Sequence, residues 1–292
     1  MRVRSLIGAI AAALGVLALA LGASGCGSST SAVLDPVAQA AAASSHAGGV
    51  HMSFTGRVSA AGLATPITLS GTGAFNYTAQ EGSLGLDVSG LPATAGVPQG
   101  PLHVEELFKS ATIFIASPLL SGHLPGGARW VKLDVAKSAA ALGVNLQQLT
   151  AGQSNPAQFL EYLKAVAGTT TLVGHDVIRG VATNHYRGTI ELRKVAGLVP
   201  PADRAAVSAG LSQLASHAGL SSVPVDVWVD AQRLVRRMQI ELALHFNGQA
   251  VGFAISVDLF DYGATAPVTP PAPGEVFDAT GTALNALANR GG

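Results

Sequence analysis

Charge is what this sequence has least of. Only 12% of its 292 residues are Asp, Glu, Lys or Arg, and the 17 basic residues balance the 17 acidic ones. An average soluble domain carries roughly 25% charged residues. A nucleic-acid binder needs a basic face to displace counterions, so that class is excluded. Low charge together with 48% hydrophobic residues also excludes the highly charged kind of disorder. Cysteine is nearly absent: Cys26 stands alone, so the chain has no internal disulfide and no thiolate metal site, and its fold must be held by its core. Long apolar runs are missing as well. Only Ser5 to Ala23 approaches the roughly 20 residues that cross a bilayer, which excludes a multi-span membrane protein.

What is present at the N-terminus reads as an address. Met1-Arg2-Val3-Arg4 is basic, Ser5 to Leu21 is apolar, and Gly22-Ala23-Ser24-Gly25 supplies small residues directly before Cys26. These are the three regions of a secretory signal. The position of Cys26 matches a bacterial lipoprotein signal, in which it becomes the lipidated first residue, although Ala23 stands where Leu is usual. An uncleaved membrane anchor and a simple secretion signal with an incidental thiol are the alternatives. The expected organisation is a signal over residues 1–25, a Gly/Ser-rich tether over 26–34 and one domain over 35–292.

Within that domain the hydrophobic period decides the fold class. Asp35-Pro36 has the form of an N-cap followed by proline at the first helical position, and opens a helix to about His46. The period then changes to two. Val50, Met52, Phe54 and Val58 alternate with polar residues, as do Ile67, Leu69, Phe75 and Tyr77, and then Leu84, Leu86 and Val88. Further strands are expected at His103–Phe108, Thr112–Ala116, Trp130–Val135, Thr170–Val173 and Val181–Leu192. Helices are expected around Leu142–Leu149, from Asn155 with the stripe Phe159, Leu160, Leu163 and Val166, and from Pro201 to His217 with Val207, Leu211 and Leu214. Met238, Ile240, Leu242, Leu244 and Phe246 then alternate up to Asn247-Gly248, and Val251, Phe253, Ile255, Val257 and Leu259 alternate after it. Asn-Gly between two such runs is a strong hairpin signal. Pro267 to Pro273 is expected to end the sheet, with a last short helix over Thr280–Asn289. The order of elements, without regular βαβ alternation, indicates an α+β fold: one large curved antiparallel sheet with helices on its apolar face.

Enzyme chemistry is not indicated. The sequence holds no G-x-S-x-G, H-E-x-x-H, P-loop or S-x-x-K arrangement. Its eight His are spread singly, and His175-Asp176 with His185 read as exposed sheet residues. No catalytic residue, metal or cofactor is expected. The apolar rows are more informative, because they mix Phe54, Phe75, Tyr77, Phe246 and Phe253 with Gly56, Gly71 and Gly73 on the same side. Strand glycines mark bends or close approach. A bent sheet cupping a void accounts for this, and so does a well-filled core in a Gly- and Ala-rich chain.

Four short motifs occur in order: Gly180-Val181-Ala182-Thr183-Asn184-His185-Tyr186-Arg187-Gly188-Thr189-Ile190; Val225-Asp226-Val227-Trp228-Val229-Asp230; Leu234-Val235-Arg236-Arg237; and Asp261-Tyr262-Gly263. Behind a lipoprotein signal, this series resembles the actinobacterial lipoproteins of the LppX/LprG type, whose fold is similar to that of LolA and LolB. The resemblance covers roughly residues 35–280. It implies a half-barrel of antiparallel strands closed by α-helices around an apolar cavity that takes lipid or glycolipid acyl chains. It further implies a monomer anchored through Cys26 on the extracytoplasmic face of the cell membrane, working with an envelope transporter. Candidate lining residues are Phe54, Leu69, Phe75, Tyr77, Met238, Ile240, Leu242, Leu244, Phe253 and Ile255 from strands, with Phe159, Leu163, Leu211 and Leu214 from helices. A non-enzymatic envelope sensor on the same fold is the competing expectation. Arg236 shares a side with Met238, so its guanidinium needs Asp230, Asp258 or an anionic head group as a partner.

Overall fold

The computed structural model describes residues 35–92, 100–120, 122–135, 137, 170–192, 220–246, 249–264 and 267–281, with isolated positions 204, 208, 209 and 212. The expected helices over 142–149, over 155–166 and over most of 201–217, the Asn247-Gly248 turn and most of the last helix lie outside the described residues. So do Cys26, Phe159, Leu163, Leu211 and Leu214.

The first element is a helix, α1, over Pro36–Ser45. Asp35 caps it, its Oδ1 accepting from the amides of Val37 at 2.8 Å and Ala38 at 3.4 Å, and Pro36 occupies the first turn, where a missing N–H costs nothing. The other carboxylate oxygen of Asp35 accepts from the Thr170 hydroxyl, which ties the start of the helix to the chain entering the second half of the sheet. Val37, Ala40, Ala41 and Ser44 are fully buried. Their spacing is one helix face, and small residues on it let the backbone lie close to the sheet.

Twelve strands follow: β1 Gly49–Ala60, β2 Ile67–Asn76, β3 Glu81–Ser89, β4 Leu102–Lys109, β5 Thr112–Ala116, β6 Trp130–Asp134, β7 Thr171–Ile178, β8 Val181–Glu191, β9 Ser222–Asp230, β10 Val235–Phe246, β11 Gln249–Phe260 and β12 Val276–Asp278. They form a single curved sheet in the order β12-β6-β5-β4-β3-β2-β1-β11-β10-β9-β8-β7. Two meanders, β1 to β6 and β7 to β11, are joined where the first strand of one pairs with the last strand of the other, Phe54 opposite Val257. All neighbours are antiparallel except β12, which lies parallel to β6 with Phe277 opposite Val131. This corrects the expectation that the proline-rich stretch ends the sheet: the chain passes Pro273 and adds three more residues to an edge. The α+β reading stands in its sheet, with α1 packed against β9 and β10. The helices expected to close the sheet over a cavity are not among the described elements.

The register sorts residues by chemistry. One row runs Val104, Leu86, Gly71, Phe54, Val257, Met238, Val227, Tyr186, Leu172, across nine strands from β4 to β7. A second runs Leu102, Val88, Leu69, Gly56, Ile255, Ile240. Successive side chains alternate between faces, so one side of the sheet is predominantly apolar while Asp87, His103, Asp226, Arg237 and Asp258 occupy the other.

The glycines of the apolar face are places of close approach. A Cβ on Gly71 would stand 2.4 Å from the Phe54 ring and 2.2 Å from the Gly85 carbonyl oxygen, and one on Gly82 would stand 2.5 Å from the Phe75 ring. The rings of Phe54 and Phe75 thus lie over glycines of the neighbouring strands and fill the room that a side chain would take. At Gly71 and Gly82, close approach of a neighbouring ring accounts for the glycine. Gly71→Ala should lower the unfolding free energy by about 1–3 kcal/mol through overpacking, read by urea denaturation. Gly62→Ala, with open space around that Cβ, should stay within about 0.5 kcal/mol of the parent.

Candidate functional site

The apolar face is the only extended feature of the described residues that sequence and structure both single out. Its α1 end is sealed. Val50, Val225, Val227, Val229, Val235, Met238 and Leu259 are buried in one cluster with Val37, Ala40 and Ala41 of the helix. Ile67 and Leu102, near the opposite ends of β2 and β4, are buried too. Between them Phe54, Leu69, Ile240, Leu242, Leu244, Phe253 and Ile255 are only half-buried. Nine of the ten residues expected on strands share one face, while Tyr77 lies in the turn just past β2, which ends at Asn76. Phe75 and Met238 are buried at the helix end, Tyr77 packs against the same cluster, and the other seven spread across its middle and far part.

Besides His175 and Asn184 at the exposed β7–β8 margin, two polar groups stand on this face. The Tyr77 hydroxyl is buried with no hydrogen-bond partner. Its ring lies 5.5 Å from that of Phe75, and burial, followed by the nearby Tyr262, pushes its pKa far above the ordinary phenol value. The second is Glu106 of β4, paired with Leu84 on one side and Ile115 on the other. Burial alone pushes its carboxyl up to about 7, because nothing compensates for the lost hydration of the charge. Sequence reasoning passed over Glu106. The signal was available: in His103-Val104-Glu105-Glu106-Leu107-Phe108, His103 and Glu105 share one parity while Glu106 falls with Val104 and Phe108.

The opposite face carries the motif residues, and they neutralise one another. His185 stacks on Trp228 at 4.1 Å between ring centres, with its Nε2 2.7 Å from Asp226 Oδ1 and its Nδ1 3.5 Å from Asp176. The Trp228 indole N–H donates to Asp176 at 2.8 Å, and Arg187 Nε donates to Asp226 at 2.9 Å. Arg237 makes a two-pronged pair with Asp258, Nε at 2.6 Å and Nη2 at 2.9 Å, and Arg179 lies 3.9 Å over the Phe260 ring. His175 and Asn184, 2.8 Å apart, pair instead at the exposed margin of the apolar side, Asn184 opposite Val229. Asp226 with His185 and Arg187, and Asp258 with Arg237, pair across adjacent strands, an arrangement that locks strands together. No group of three His, Cys, Asp or Glu side chains able to hold a metal occurs among the described residues.

Arg236 resolves differently. The pairing of β9 with β10 shifts between Val235 and Arg237, which takes Arg236 out of the alternation. Its Nε donates to Asp230 at 2.6 Å, and its guanidinium lies 5.4 Å over the Tyr262 ring. Of the partners considered, Asp230 holds it, while Asp258 is taken by Arg237. No helix of the described residues is long and apolar enough to cross a membrane.

No family model matches the chain. Over 156 residues it is 28% identical to an uncharacterized 31.2 kDa protein from the rplA-rplJ intergenic region of Streptomyces griseus, an alignment covering 52% of this chain and 49% of that protein. The match thus spans about half the length of that curated relative. Among solved structures, the Mycobacterium tuberculosis lipoprotein LppX aligns with a TM-score of 0.42 and 14% identity, over 80% of this chain and 96% of that one. LprF from Mycobacterium bovis aligns with a TM-score of 0.41 and 18% identity, over 82% of this chain and 95% of that one. The chain is similar to these two actinobacterial proteins over most of its length.

Proposed function

We propose that this protein is a membrane-anchored extracytoplasmic lipoprotein that binds, and carries between membranes, the acyl chains of a lipid or glycolipid. The observation that carries the reading is the uninterrupted apolar row from Val104 to Leu172, whose central neighbours stay half-buried. Such a surface is costly in water, and large apolar patches mark binding sites. An acyl chain laid against it gains about 0.8 kcal/mol for each methylene taken out of water. A chain leaving a bilayer gives up the same amount, so the protein lowers the barrier to crossing water and does not drive transfer. Cys26 supplies the anchor and residues 26–34 the tether.

One experiment tests both parts. Expressed in an actinobacterial host, the parent should be found in the membrane fraction and Cys26→Ala in the medium, with lipid extractable from the purified variant and identified by mass spectrometry. Retention of Cys26→Ala in the membrane would favour an uncleaved N-terminal helix. A released protein with no extractable lipid would leave the envelope-sensor reading in its place.

A further inference from the structure

Every Asp and Glu on the described strands falls on the polar face except Glu106. Its cross-strand neighbours are Leu84 from β3 and Ile115 from β5, and its same-face neighbours along β4 are Val104 and Phe108. The charged residues beside it in sequence and one turn of the pleat away, Glu105 and Lys109, point to the other side, where Lys109 pairs with Glu81 at 3.4 Å. No described side chain offers Glu106 a hydrogen bond or a counter-charge. An uncompensated carboxyl in an apolar face lowers stability and makes no structural contact that would justify it.

We propose that Glu106 is the selector of the bound amphiphile's polar group: it accepts a hydrogen bond from a non-anionic donor such as a hydroxyl, and it turns away a carboxylate. This rests on the lipid-binding reading above and adds the chemistry of the head group to it. The half-buried middle of the face lies beside it, so an acyl chain along the Val104–Phe54–Met238 row brings its polar end within reach of β4. Either protonation state accepts a hydrogen bond from a hydroxyl. The ionised state, which burial holds off until about pH 7, repels an anion in surroundings where charge is poorly screened.

The test uses the full chain carrying Cys26→Ala, the uncharged probe N-phenyl-1-naphthylamine, and two competitors of equal length, 1-dodecanol and dodecanoate, at pH 8. The parent should bind dodecanol about tenfold more tightly than dodecanoate. A hydroxyl is also less costly to desolvate, so the decisive quantity is how this ratio changes with the residue. Glu106→Gln keeps the acceptor and removes the charge, and should bring the ratio to within about twofold by tightening dodecanoate. Glu106→Leu removes both and should weaken dodecanol about fivefold, with probe affinity unchanged in all three. An unchanged ratio in both variants with the probe still bound overturns the selector role and leaves lipid binding standing. Failure of the probe to bind any of the three proteins overturns both.

Discussion

Replacing Asp230 with alanine is expected to lower the unfolding free energy by about 3–5 kcal/mol, the cost of removing one partner from a buried ion pair. The Asp230 side chain has no exposed surface. Its Oδ1 accepts from the Leu234 amide at 2.8 Å and its Oδ2 from Arg236 Nε at 2.6 Å, while its backbone closes the β9–β10 turn through Asp230 N to Leu234 O at 3.0 Å. That turn needs Arg233 at φ 61°, a conformation that most residues avoid, so the carboxylate stabilises an unfavourable backbone as well as a charge. The next layer depends on it. Arg236 reaches over Tyr262, whose hydroxyl donates to the Val235 carbonyl at 2.5 Å, and the Val235 amide donates to Ser44 Oγ at 2.9 Å. The turn, β10 and α1 are therefore joined through adjacent polar contacts in a mostly apolar region. Without Asp230 the Arg236 guanidinium, 17% exposed, is left in a site too dry for it. Asp230→Asn retains an acceptor for Leu234 and should lose less than the alanine variant. Urea unfolding of the two variants measures this, and a loss below about 1 kcal/mol for alanine would show that the pair is worth no more than a surface salt bridge.

How far such contacts could be read from the sequence depends on their range. The alternation of Val50, Met52 and Phe54, and of Met238, Ile240 and Leu242, is local, and it located β1 and β10 together with the face each presents. Asp35-Pro36 is local too, and it placed the start of α1. Strand β7 was read only to Val173, because the pairing shifts between Leu172 and Gly174 and the period breaks there, yet the strand continues to Ile178. The pairing of β1 with β11 joins residues about two hundred positions apart, and no local pattern encodes it. The same holds for β12: three residues after a proline-rich stretch carry no period, and only the edge of β6 makes them a strand. Choosing between Asp230 and Asp258 for Arg236 required the shift in pairing at Val235, which places two consecutive arginines on different partners. Of the apolar face, nine strand positions and Tyr77 just past β2 were legible because they follow the period. Glu106 was missed because a charged residue in an apolar parity looks like noise until its neighbours on β3 and β5 are known.

Glu106 should also leave a signature in stability, apart from any ligand. Its carboxyl is pushed from an ordinary 4.5 up to about 7 by burial. Below pH 4.5 the folded and unfolded chains both hold the proton, and the group contributes no pH dependence. As pH rises past 4.5 the unfolded chain releases its proton while the folded chain retains it until about pH 7. The unfolded state binds fewer protons across that window, so stability falls with pH and levels off above it. The full drop is about 3 kcal/mol for a shift of this size. Glu106→Gln, which cannot ionise, should lack this drop and be more stable than the parent at pH 8 relative to pH 4 by about that amount. His103 complicates the parent's profile but not the comparison. Its pKa is raised first by the hydrogen bond to Asp87, so its stabilisation is complete below 6.5 and is lost as pH rises through the higher folded value, in the same direction as the Glu106 effect. His103 is present in both proteins and lies on the other face of β4, so it cancels in the difference between them. Asp278, held down to about 2 by Thr280 and Lys132, acts at the acid end: its contribution is present above 3.8 and is lost as pH falls toward 2. The difference curve between parent and Glu106→Gln, from urea midpoints at half-unit steps between pH 4 and pH 8, should therefore be a single titration confined to the window from 4.5 to 7. A flat difference would mean that the Glu106 carboxyl is hydrated in the folded protein, and a hydrated carboxyl could not discriminate between a hydroxyl and a carboxylate on a bound chain.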